Sequence, residues 1–473
     1  MSTSSQKHQV PHSVDEEECS HLLPWLRRKA GAEISSHLTI GKSVYGRSLF
    51  ASKPIQAGDC ILKIPRSAHL TADSLHPSVS SLLGEGFADD VKLALVVLQH
   101  QKLGQASEWA PYISCLPRVE EMHSTMLWSD EELEMIKTSL LYDATLERKA
   151  HIEKIYLSIK HVLDRFPEYF EDVTLDKFKH AYNLEYWSNL ELGVTEGVVQ
   201  WSDLACCNYF KPAFLTSASA LVTKCNRLML AFTSMFKAVA LAKFTAVDSN
   251  SSVTHTLDDF EQQFIAGKNY APGDEVFIRY LDVSNFELLL QYGFMIPFSE
   301  YDTVLVEITV PQHDHLRALK LDLLYRHSIQ GRMGFKKPNS CRNYFILEND
   351  NSSEGWGISI PLRAFARVLC CTSPQELQQL VMEATEDDGH LARYPLKNKE
   401  REMEAHRFLH LRFDDMIENH RAALESLTRA ASPTLSGKCA RRMQLARDLL
   451  TSDLQILRSA TAWLKNYSET LKV

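Results

Sequence analysis

Along this chain, stretches of clear hydrophobic periodicity flank one long stretch that has none. Leu93, Leu95, Val96, Val97 and Leu98 form an apolar run without breakers, and residues 90–190 carry long helix formers with mixed charge. Trp128-Ser129-Asp130-Glu131-Glu132 predicts a helix start, with Ser129 as cap and Glu132 returning to its amide. Upstream, Ser43–Phe50, Pro54–Asp59 and Cys60–Pro65 read as strand, turn and strand; Gly46 and Gly58 supply the turn conformations, and Pro65 stops the second strand. Tyr270–Glu275 predicts a turn, and Val276-Phe277-Ile278-Arg279-Tyr280 a strand with alternating faces. Ser284–Gln291 reads as a short helix with Gly293 as its C-cap.

Thr303–Val310 is a strand by the same pattern, and beyond Pro361 the chain reads as helical. Ser373-Pro374-Gln375-Glu376 combines a cap, a proline at the first helical position and a returning glutamate. Leu409, Phe413, Met416, His420, Leu424 and Leu427 share one helical face, and Ala446, Leu450, Leu454, Leu457 and Leu464 share another. This predicts an antiparallel pair around its own core. Between about 183 and 256 neither a period of 3.6 nor one of 2 persists, so residues 183–255 are expected to be irregular. The predicted class is α+β: a β-rich core with a helical insert at about 88–182, then a mainly α-helical C-terminal domain. Residues 1–20 are polar, and the N-terminus over 1–24 is expected to be disordered.

Composition narrows the functions. A chain of 473 residues exceeds one ordinary core. Lys+Arg 51 against Asp+Glu 60 gives a net charge of −9, which argues against non-specific nucleic-acid binding. The ten cysteines form no CxxC pair, so no zinc site is expected and reduced thiols are the simplest reading. The N-terminus lacks the apolar run of a secretory signal. The longest apolar-rich run, Leu228–Phe244, includes Lys237 and Lys243 and falls short of the roughly 20 residues of a membrane span. No membrane partner is therefore expected. GxxxxGK[ST], GxGxxG and HExxH do not occur.

Two segments far apart in the chain stand out. The first is Tyr45-Gly46-Arg47-Ser48-Leu49-Phe50-Ala51; the second runs from Gly273-Asp274-Glu275 through Tyr280 and Ser284-Asn285 to Tyr292-Gly293-Phe294. Each alone reads as a turn with its flanking elements. Together, in this order, they resemble the SET-domain protein methyltransferases. The subgroup they resemble is that of the Rubisco large-subunit methyltransferases, in which a helical insert splits the SET domain and a helical substrate-binding domain follows. The opening pattern of that family matches Gly46, Arg47, Leu49, Phe50, Ala51, Ile55, Gly58, Ile61 and Pro65. Its insert matches Trp109, Tyr112, Leu116 and Pro117, then Trp128, Ser129, Glu131, Glu132 and Leu133. Leu362–Leu369 with Glu404-Ala405-His406 looks like the substrate-binding domain. The resemblance covers about 25–182 and 256–470, and it places a SET domain at 25–300 and a substrate-binding domain at 301–473.

The resemblance implies a protein-lysine N-methyltransferase that takes methyl from S-adenosylmethionine and acts on a non-histone protein bearing a target lysine. In-line displacement from a sulfonium demands alignment and a neutral amine rather than an acid catalyst. Tyrosines suit such a channel, being apolar on the face, carrying one hydroxyl and staying neutral at pH 7. By resemblance Tyr280 is the catalytic tyrosine, Tyr292 and Phe294 line the lysine channel, and Gly46, Arg47, Ser48 and Leu49 hold the methionine part of the donor. No cysteine-rich zinc segment follows Tyr280, so no metal is expected, and a histone substrate is disfavoured.

One departure lies between the matches. The family carries a Ser-Arg pair and then an Asn-His dipeptide that contacts the cofactor; neither occurs between Tyr182 and Gly273 here. The nearest candidates are Asn250, followed by a serine, and the isolated His255. A second reading therefore stands beside the first: a catalytically impaired SET-fold module that binds proteins. An intracellular protein of the cytoplasm or nucleus is expected, with the plastid as the alternative that the resemblance adds.

Overall fold

The computed structural model describes residues 21–31, 33–43, 46–65, 70–84, 86–186, 254–257, 261–276, 284–297, 299, 301–327, 342–348, 358–386, 390–430 and 437–471. Its described strands form three small sheets, and helices make up most of the rest. This is the expected α+β arrangement.

The first sheet has the order β1 (Glu33–Ile34), β4 (Cys60–Pro65), β6 (Glu261–Ile265), β5 (Thr254–Leu257), all antiparallel. The second is a hairpin of β2 (Leu38–Ser43) and β3 (Gly46–Ala51), in register from Leu38↔Ala51 to Ser43↔Gly46. The expected strand Ser43–Phe50 thus divides between two arms, and its neighbour at 60–65 belongs to another sheet. The third sheet pairs β7 (Thr303–Thr309) with β8 (Arg342–Glu348).

Regular structure enters both ends of the stretch 183–255 that was expected to be irregular. Helix Leu175–Tyr186 runs through its start, and β5 occupies its end. β5 and β6 were missed because Thr254-His255-Thr256-Leu257 and Glu261-Gln262-Gln263-Phe264-Ile265 are mostly polar and carry little apolar contrast. Residues 187–253, including the apolar run Leu228–Phe244, lie outside the described residues.

Helices Asp89–Leu103, Leu141–Arg165 and Leu175–Tyr186 build the insert. Ser129 caps Asp130–Leu133 as expected: Glu132 N donates to its Oγ at 3.2 Å, and Ser129 N donates to Glu132 Oε2 at 2.8 Å. At the other predicted cap, Glu376 N donates to Ser373 Oγ at 3.3 Å, but the glutamate returns to Thr372 N at 2.6 Å, one residue earlier than the pattern implied. Helices Lys399–Ala430 and Gly437–Thr470 pair with each other. Leu409, Phe413, Leu454, Leu457 and Leu464 are buried in the core that they share with β7, β8 and helix Ile360–Leu369.

A separate core joins the two halves of the chain. Trp128, Leu133, Ile136 and Leu141 of the insert meet Phe286 and Leu289, and both groups meet Leu427, Leu445, Leu449 and Leu450 of the C-terminal helices. Arg442 Nη1 pairs there with Glu132 Oε2, and its Nη2 donates to Met122 O at 3.2 Å. Burial of Arg442 lowers its guanidinium pKa, and the Glu132 carboxylate opposes that shift.

Candidate functional site

The two motif segments meet through backbone hydrogen bonds. Gly273 N donates to Ala51 O at 2.7 Å, Ala51 N to Asp274 O at 2.8 Å, and Val276 N to Leu49 O at 2.8 Å. Phe50 and Glu275 bridge antiparallel between them. Residues 273–276 therefore run alongside β3, joined to it by an isolated bridge. Their turn is built by Gly273, whose φ of +92° suits glycine, and by Asp274 Oδ2, which accepts from Ala271 N at 2.7 Å. A second tie lies upstream, where Ile55 and Tyr270 exchange both backbone bonds at 3.0 and 2.9 Å.

Gly46 and Arg47 lie on β3, opposite Ser43 and Lys42. Ser48 is fully buried, and its hydroxyl has no hydrogen-bond partner among the described residues. Leu49 enters the core that also holds Val276, Tyr292, Phe294 and Ile296. Gly41 faces Phe50 across the hairpin, where a Cβ would lie 2.8 Å from the ring. Tyr280 and Asn250 lie outside the described residues.

Ser284 Oγ accepts from Glu287 N at 3.4 Å to cap a short helix. One turn of α-helix, Asn285–Glu287, passes into a π-turn, Leu288–Tyr292, closed by Gly293 N donating to Leu288 O at 3.0 Å. Such wide turns recur at functional sites. Gly293 then adopts φ +74°, the left-handed cap that the sequence implied. Tyr292 and Phe294 are both buried, with ring centroids 6.2 Å apart and planes at 52°. Burial, with a smaller effect of the Glu287 charge, raises the Tyr292 phenol far above its ordinary pKa. Tyr292 is thus a neutral phenol at any physiological pH.

The insert holds this turn in place. Ser124 Oγ donates to Leu290 O at 2.6 Å, and Trp128 Nε1 donates to His123 O at 2.8 Å. Sequence reasoning named neither Ser124 nor the structural role of Asn285, the buried residue whose side chain closes the 285–296 loop. Among the described residues, no helix is long and apolar enough to cross a membrane.

Comparison with known proteins fits this geometry. Residues 311–457 match the Rubisco LSMT substrate-binding family. The chloroplastic ribulose-1,5-bisphosphate carboxylase/oxygenase large subunit N-methyltransferase of Nicotiana tabacum is 22% identical over 372 residues, covering 73% of this chain and 69% of that protein. The actin-histidine N-methyltransferase of Mus musculus is 23% identical over 380 residues, covering 77% of this chain; this chain spans only 55% of its length. The crystal structure of the SET domain of LSMT bound to lysine and AdoHcy superposes with a TM-score of 0.68 at 17% identity, over 97% of this chain and 93% of that one. The chain therefore carries a Rubisco LSMT substrate-binding region at residues 311–457 and shares the fold of the LSMT SET-domain structure, with a split β core, a helical insert and a helical C-terminal part.

Proposed function

We propose that the protein is an S-adenosylmethionine-dependent protein N-methyltransferase that acts on a lysine of a non-histone protein. The observation that carries this reading is the setting of Tyr292: a buried, neutral phenol beside Phe294, held in a closed turn and packed in the same core as Leu49 and Val276. A lysine side chain at neutral pH is an ammonium and no nucleophile. A desolvated, uncharged channel disfavours the charged form and supplies the free amine. An imidazole, with an ordinary pKa near 6.5, needs no such help. The site chemistry therefore favours lysine over histidine, although relatives that modify each are similar to this chain.

The residues present fit the donor at one point. A buried hydroxyl without a partner is disfavoured by about 1–3 kcal/mol, and Ser48 has such a hydroxyl on the strand assigned to the donor. Gly46, Arg47, Ser48 and Leu49 would hold the methionine part. The bound donor supplies the electrophilic methyl group. Tyr280 would border the transferring methyl, Tyr292 and Phe294 would exclude water from the amine, and the C-terminal domain would hold the protein substrate.

Calorimetry of the full chain with S-adenosylmethionine tests the reading. Saturable 1:1 binding that Ser48→Val weakens at least tenfold is the expected result. No binding at millimolar donor would sink the enzymatic reading and leave a protein-binding module on the same fold.

A further inference from the structure

Asn285 is 1% exposed and commits its whole side-chain amide. Its Oδ1 accepts from Ile296 N at 2.7 Å, and its Nδ2 donates to Ile296 O at 3.0 Å and to Asp302 Oδ2 at 2.7 Å. One side chain thus closes the base of the loop that carries Tyr292, Gly293 and Phe294. Asp302, 3% exposed, holds Asn285 in turn. Its Oδ1 accepts from Asn285 N at 3.0 Å and from Thr303 N at 2.9 Å. Its Oδ2 accepts from Asn285 Nδ2 and from Ser452 Oγ.

Asp302 forms no ion pair among the described residues, so neutral donors alone stabilise its carboxylate. Burial raises its pKa and the hydrogen bonds from Ser452 and Asn285 oppose that shift. Of these donors, Ser452 comes from helix Gly437–Thr470, at the far end of the sequence. Within the two turns before it, Leu445, Leu449 and Leu450 pack in the same core as Phe286 and Leu289 of the loop-bearing helix. Its neighbour Asp453 pairs with buried His420 Nε2 at 3.2 Å. Residues 452 and 453 therefore lock one helix both to the C-terminal bundle and to the Tyr292 loop.

We infer that Ser452 is a positioning residue for Tyr292 and Phe294, acting through Asp302 and Asn285, so that the C-terminal domain sets the shape of the lysine channel. This rests on the reading of Tyr292 and Phe294 as channel walls. Removing the hydroxyl leaves a buried carboxylate one donor short, and the shortfall falls on the clasp of Asn285. A protein docked on the C-terminal helices thereby gains a mechanical route to the channel, made of discrete hydrogen bonds.

The test is hydrogen exchange read by mass spectrometry on the full chain and needs neither donor nor substrate. A failure of the methyltransferase reading would show separately, in calorimetry. In Ser452→Ala, amides in 285–296 should exchange about tenfold faster, the scale of a hydrogen bond to a charged acceptor, while peptides from helix Leu141–Arg165 keep their protection. Ser452→Thr, which keeps the hydroxyl, should restore the native rate. Unchanged exchange at 285–296, an equal rise in every peptide, or no rescue by threonine would each overturn the inference.

Discussion

Gly293 and Ser124 are in backbone contact: a Cβ built on Gly293 would lie 2.2 Å from the Ser124 nitrogen. The carbonyl carbon of His123 would be equally close. No side chain fits there, because the obstacle is main chain rather than a movable rotamer. The glycine at the end of the Tyr292 turn is therefore required twice, once by its φ of +74° and once by the insert lying against it.

Gly293→Ala should destabilise the protein by about 3 kcal/mol or more, combining backbone strain with overpacking. Gly58→Ala is the matched control, since Gly58 has φ +92° and nothing within 4 Å of the added Cβ. It should lose only about 1 kcal/mol. Denaturant melts of the two variants decide the matter; equal losses would mean that the Ser124 contact contributes nothing.

Tyr280→Phe should abolish most methyl transfer while the melting temperature stays within a degree or two. Tyr292→Phe should retain more activity, because its ring and its burial are kept. Radiolabelled methyl incorporation measures both. Unchanged turnover by Tyr280→Phe would remove Tyr280 from the reaction.

Arg442→Ala should lower stability by about 3 kcal/mol, because it leaves Glu132 without its cation and opens a void in the shared core. The double variant with Glu132→Gln should lose less than the sum of the singles. Strict additivity in a double-mutant cycle would show the pair to be uncoupled.

A fragment of residues 301–473 should fold, since Leu409, Phe413, Leu454, Leu457 and Leu464 have a core of their own. It should melt below the full chain, because Leu427, Leu445, Leu449 and Leu450 lose Trp128, Leu133, Phe286 and Leu289. Circular dichroism with a cooperative melt is the measurement. Little helical signal would refute an independent domain.

Stability should fall as pH drops through 6.5. Burial lowers the pKa of His100, His151, His180 and His406 in the folded state. Below the ordinary value near 6.5 the unfolded chain takes up protons that the folded one refuses, and the loss grows until each folded pKa is reached. Asp302 and Glu287, raised by burial, pull the other way at lower pH. Melting at pH 7.5 and 5.5 should therefore differ less in His180→Gln than in the parent; an equal difference would exclude His180 as a contributor.

Much of the fold was legible because it is local. The cap at Ser129, the glycine stop at 293 and the buried faces of the two long helices all follow from patterns within a few residues. What was missed is what the pattern cannot encode. β6 presents two glutamines in a row, and the clasp of Asn285 by Asp302 joins positions with no shared periodicity. At the site, the motif order brought Leu49 and Val276 into view before their hydrogen bond was known. Ser124 carried no signal, because a serine in a turn is commonplace.

The tie between Ala57 and Asn269 spans 212 positions. β4 likewise finds its β6 partner only when residues 261–265 have emerged. At a synthesis rate of roughly 5–20 residues per second, the first half of this four-stranded sheet waits on the ribosome for roughly 10–40 s with an unpaired edge. The nascent chain is open to mispairing over that interval, and its yield in a cell depends on what shields that edge until the partner strand arrives.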